Sequence, residues 1–123
     1  MKLLFFASIL LALATSPALA NPCQELRDKA DDYDKQNELM FERFHKVNRD
    51  AEQGKVSEQE VCSVMIEINK MRKASLENDV NLMTCDCKYN PETCSMATSA
   101  VAFNKEQLAG MTRYVENNCS MNQ

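Results

Sequence analysis

The groups in this chain best able to form new bonds are its sulfurs. Three of the six cysteines crowd into TCDCKYNPETC, Thr84 to Cys94, as Cys85, Cys87 and Cys94; the others are Cys23, Cys62 and Cys119. A metal clamp would need thiolates and usually a fourth ligand from cysteine or histidine. The sole histidine, His45, belongs far down a different helix and cannot complete such a site. Redox catalysis favours Cys-x-x-Cys at a helix start, where the dipole lowers the thiol pKa; the spacing here is Cys-x-Cys. An even cysteine count in a short exported chain points instead to a disulfide framework.

Other reactive constellations are missing. No serine or cysteine can be matched with a second histidine-type base, and no glycine-rich phosphate loop occurs. The acids Glu25, Asp28, Asp31, Asp32 and Asp34 have the pattern of a solvated helix face. Met40, Met65, Met71, Met83, Met96, Met111 and Met121 are scattered, and three of them fall on helix seams, so they suit core filling better than copper ligation. Asn118-Cys119-Ser120 matches a glycosylation sequon, which a disulfide at that cysteine would obstruct. This reading assigns no catalytic residue, no cofactor and no metal ligand.

The elements that position the cysteines follow from composition and period. Residues 1–20 have the layout of a cleavable secretory signal: Lys2, the apolar run LLFFASILLALA, then Ala18-Leu19-Ala20. The apolar run is short for a membrane span, and Asn21 and Pro22 separate the cleavage site from Cys23, so no stable membrane anchor is expected. Residues 21–123 then form one domain. Loss of Lys2 leaves 13 basic and 18 acidic residues, a net charge of −5. Without a polybasic run, nucleic acid is a poor partner. With only Gly54, Gly110, Pro22 and Pro91 after residue 20, long helices are favoured over a loop-rich or all-β scaffold.

Three amphipathic seams step by threes and fours. The first is Cys23, Leu26, Ala30, Tyr33, Asn37, Met40, Phe44, Val47 and Ala51, opened by Asn21-Pro22 and ended near Gly54. Ser57 and Glu60 have capping-box spacing and open the second, Val61, Val64, Ile68, Met71, Ser75, Asn78, Leu82 and Cys85. It is expected to stop within CDCKYNP, with Tyr89-Asn90-Pro91 as a turn. The third begins at Pro91 and runs Cys94, Ala97, Val101, Asn104, Leu108, Met111, Val115 and Asn118. Gly110 weakens this helix by about 1 kcal/mol relative to alanine, or lets a neighbour approach closely.

Short connections force antiparallel neighbours, so the expected fold is an all-α, antiparallel three-helix bundle. Helical rise places Cys62 and Cys119 together at one end and Cys23, Cys85, Cys87 and Cys94 at the other. A Cys85–Cys87 ring would be strained. Two patterns remain: Cys23–Cys85 with Cys87–Cys94, or Cys23–Cys87 with Cys85–Cys94. The first is preferred because Cys85 continues the seam facing the first helix.

Asn37, Asn78 and Asn104 interrupt the seams near mid-length, with Ser75 one turn from Asn78. They are seam-edge residues, a hydrogen-bonded layer fixing helix register, or the lining of a small polar pocket. The leading functional expectation is a non-enzymatic, exported protein-interaction domain, inhibitor- or immunity-like, presenting an acidic helical surface to a basic partner. Asp31, Asp32, Asp34, Phe41, Tyr89 and Phe103 are its candidate contacts. The alternative is a periplasmic carrier of a small ligand or metal ion in the inter-helix space.

Overall fold

The computed structural model describes residues 21–119; the signal-peptide reading of residues 1–20, and Met121, lie outside them. Three helices fill the described chain: α1, Gln24–Glu52; α2, Glu58–Tyr89; and α3, Pro91–Asn118. The fold is the antiparallel three-helix bundle expected from the seams, tied by three disulfides.

α1 opens two residues later than Asn21-Pro22 suggested. Asn21 still orders the entry, because its Oδ1 accepts from the Cys23 N–H at 2.9 Å. At the other end Gly54 takes a positive φ of 72°. The Gly54 N–H reaches the Ala51 carbonyl at 3.0 Å and the Lys55 N–H reaches the Asp50 carbonyl at 2.8 Å. This paired closure satisfies two carbonyls that the helix end would otherwise orphan. Ser57 caps α2: its Oγ accepts from the Glu60 N–H at 3.2 Å.

The α2–α3 joint departs from expectation. α2 does not stop in CDCKYNP; it continues through Tyr89, so Cys85 and Cys87 lie in its final turns and Asn90 alone is the connection. Pro91 explains both sides of the joint. Its ring disfavours helical backbone at the preceding residue, and Asn90 has φ −132° and ψ 69°. Its preset φ then suits the first position of α3.

α2 is the middle rod. It packs against both neighbours, whereas no Cα of α1 comes within 8 Å of a Cα of α3 among the described residues. Val64, Met65 and Ile68 of α2 and Val101 and Val115 of α3 are buried, but α1 contributes no buried residue. Phe44, Ile66 and Met111 pack around Met65, Val115 and Cys119 near one pole.

The disulfides are Cys23–Cys85, Cys62–Cys119 and Cys87–Cys94, the preferred pattern, and no cysteine is free. Asp86 stands between two of these cysteines and is only 2 % exposed. Its Oδ1 accepts from Arg27 Nη2 at 2.8 Å and from Asn90 Nδ2 at 3.0 Å. TCDCKYNPETC is therefore a staple with a half-buried ion pair at its centre, Asp86 buried and Arg27 partly exposed.

Candidate functional site

Because α1 and α3 meet α2 without meeting each other, an open groove runs between them over α2. It holds about 610 Å³ and is lined by Phe41 from α1, Met65 and Arg72 from α2, and Phe103, Glu106, Gln107, Gly110 and Met111 from α3. Phe41 and Phe103, on opposite walls, are 36 % and 59 % exposed. Arg72 crosses the floor. Its guanidinium carbon lies 4.6 Å from the centre of the Phe41 ring, and its Nη1 donates to Gln107 Oε1 at 3.1 Å. Burial lowers the guanidinium pKa from its ordinary value, and the ring face supplies electron density where no carboxylate pairs with it among the described residues.

Toward the Cys23–Cys85 end, Arg72 also borders a smaller polar cavity. This space of about 60 Å³ is lined by Asp34, Asn37, Arg72, Ser75, Leu76, Asp79 and Asn104. Asn104 Nδ2 donates to Asp79 Oδ2 at 2.9 Å, joining α3 to α2. Asn37 Oδ1 and Arg72 Nε are buried without a protein partner. An acceptor and a donor bordering one polar space are the condition under which a bridging water stabilises a core. Asn78 lies apart from this cavity and serves another junction, its Nδ2 donating to the Leu26 carbonyl at 3.0 Å.

Two carboxylates of the cavity hold their protons more tightly than usual. Desolvation raises the Asp34 pKa, and Asp31 and Glu38 raise it further by repulsion. Desolvation also raises the Asp79 pKa; Asn104 opposes this through its hydrogen bond, while Asp34 adds repulsion. A carboxylate with a raised folded-state pKa favours folding below its unfolded value, and that contribution is lost as pH rises through the folded value. Asp79→Asn retains an acceptor for Asn104 and removes the ionisation. Its urea midpoint should exceed that of the parent at pH 7, with the gap closing by pH 3. A gap of equal size at both pH values would show that ionised Asp79 is not destabilising.

The remaining sequence candidates separate in space. Asp31 and Asp34 line one shallow depression on α1 with Lys35 and Glu38, whereas Asp32 lines another with Lys29, Tyr33 and Gln36. Tyr89 is at the staple end, its ring 5.0 Å from Lys88 Nζ, away from the groove. Sequence reasoning missed Arg72, Asp79 and Gln107. Arg72 and Asp79 follow from a second series on α2 (Cys62, Met65, Asn69, Arg72, Leu76, Asp79, Met83, Cys87), which is visible once α2 is known to need two packing faces, and Gln107 is the α3 residue that Arg72 meets. Its contacts include Thr112 Oγ1 to Asn69 Oδ1 at 3.1 Å. No protein-family model, curated protein or solved structure matches this chain.

Proposed function

We propose that this chain is a small, exported, non-enzymatic interaction protein that offers the α1–α3 groove and the adjoining acidic face of α1 to a basic partner protein. The observation that carries this reading is the open, mainly apolar groove, with Phe41 and Phe103 standing exposed on its two walls. Exposed aromatics beside charged groups suit protein recognition, because they combine large contact area with few rotors to immobilise. Three disulfides favour an oxidising compartment, periplasmic or extracellular. No helix among the described residues is long and apolar enough to cross a membrane. An inhibitor- or immunity-like role toward a basic hydrolase is compatible with the acidic balance.

The carrier alternative draws on the cavity beside Asn37 and Asn104. At about 60 Å³ that space admits water or a single ion, well below the roughly 300–1,000 Å³ of pockets that hold metabolites. The groove is the better-supported surface.

The test is an affinity capture from exported proteins with the oxidised mature domain, followed by charge reversal. Asp31→Lys with Asp34→Lys should weaken the captured complex by at least about tenfold and flatten its salt dependence, as loss of complementary charge does. Asp32→Lys, on a different face, should change it little. Binding indifferent to the double reversal would discard the acidic-face reading.

A further inference from the structure

We propose that the groove between α1 and α3 seats a fourth helix supplied by a partner protein: an amphipathic helix with one apolar face and Lys or Arg along the flank that meets α1. This rests on the protein-interaction reading and specifies the partner's form.

The first argument is architectural. Two helices packed on a third but not on each other leave the fourth position of a helical bundle vacant, and α1 and α3 bound that position on either side. The groove lining already has bundle-core character, with Met65 and Met111 joining the two phenylalanines of the walls. Methionine adapts its shape to varied apolar partners.

The second argument is a second, largely exposed seam on α3. Met96, Ala100, Phe103, Gln107, Gly110 and Tyr114 step along α3 by fours and threes, separate from the seam facing α2. Met96 is 77 % exposed and Tyr114 is 48 % exposed. Coiled-coil-like packing uses this three-four spacing. From Met96 to Tyr114 the stripe is about 27 Å long, which a partner helix of about 18 residues would cover.

Gly110 supplies the third argument. A glycine mid-helix is unfavourable, yet among the described residues nothing requires its smallness: a Cβ there would meet only Arg113 Nη2, at 4.0 Å. It borders the groove. A small residue on a helix face permits close backbone approach by a neighbour, and no described residue of this chain is that neighbour.

Charge complementarity selects the occupant. Asp31, Asp34 and Glu38 share one side of α1, and repulsion from Asp31 and Glu38 adds to desolvation in raising the proton affinity of Asp34. Basic side chains on the incoming helix would relieve that repulsion. A second copy of this chain is a poor occupant, because each copy carries a net −5 after loss of residues 1–20. Its own exposed-seam helix, α3, offers only Lys105 and Arg113 against Glu92, Glu106 and Glu116.

The probe is an 18-residue peptide of leucine and lysine, with leucines at three-four spacing, titrated against the oxidised domain by fluorescence anisotropy and circular dichroism. A peptide of identical composition scrambled to break the period is its control. The periodic peptide should bind at least about tenfold more tightly than the scramble and gain helix on binding. Gly110→Leu should weaken it at least about tenfold while leaving the domain's thermal midpoint equal or higher; Leu39→Ser, on an exposed position outside the groove, should not alter it. If both peptides bind alike, or Gly110→Leu changes nothing while the Asp31/Asp34 reversal still abolishes binding, the fourth-helix proposal fails and the acidic-face reading stands. Loss of neither interaction on reversal defeats both. A Gly110-sensitive dimer of the domain alone in sedimentation velocity would overturn the proposal in favour of a second copy.

Discussion

Replacing Cys62 and Cys119 together by alanine should lower the unfolding free energy by about 4 kcal/mol, against roughly 2.5 kcal/mol expected for the Cys87/Cys94 pair. The partners of the first bridge are 57 residues apart in sequence and those of the second only 7. A cross-link removes more freedom from the unfolded chain when it closes a longer loop. Cys119 is itself buried and packs with Met65 and Val115, so its loss also opens space at that pole. Urea titration of the two double-alanine proteins gives the comparison directly. A smaller loss for Cys62/Cys119 than for Cys87/Cys94 would contradict the ranking.

The second large effect is centred on Asp86. Arg27→Ala would leave this carboxylate, 2 % exposed, with only the Asn90 side-chain amide as a side-chain partner. Removing the partly exposed arginine strands the buried carboxylate without its counter-charge, and the expected loss is about 3 kcal/mol, the low end for a fully buried pair. Adding Asp86→Leu to the same protein should recover most of it, because a buried apolar side chain has no charge to solvate. A double-mutant cycle measured by urea unfolding separates the two contributions. Additive losses would mean that Arg27 and Asp86 are not coupled. The exposed Arg43–Glu67 pair, Nη1 to Oε2 at 2.6 Å, is the natural reference: breaking it should cost at most about 1 kcal/mol.

What the sequence made legible was what repeats. The seams gave three rods and their order, Ser57 and Gly54 marked two helix ends by local chemistry, and helical rise sorted six cysteines to two poles. Each of these follows from spacing along one chain. The staple was harder, because CDCKYNP carries turn residues and yet stays helical through Tyr89; only Pro91 sets a hard stop. Asp86 gave no signal at all. Its burial depends on Arg27 arriving from 59 positions away in sequence. The groove was hidden for a related reason. One seam per helix implies a closed triangle of rods, whereas α2 carries two seams and α1 and α3 stay apart. Of the candidate contacts, Phe41 and Phe103 share the groove, Asp31 and Asp34 share one side of α1, and Asp32 and Tyr89 face elsewhere. Position along a helix was readable, but the rotation of one helix against the next was not.

The distribution of the three bridges gives the molecule two mechanical parts. α2 and α3 are joined covalently at both poles, by Cys62–Cys119 and by Cys87–Cys94, and form a closed frame. α1 has one bridge, Cys23–Cys85, and at its far end only the peptide link through Gly54. A single backbone cut in that link would leave the first rod tethered by one sulfur hinge, with only its packing and ion pairs on α2 to keep the channel it borders from widening.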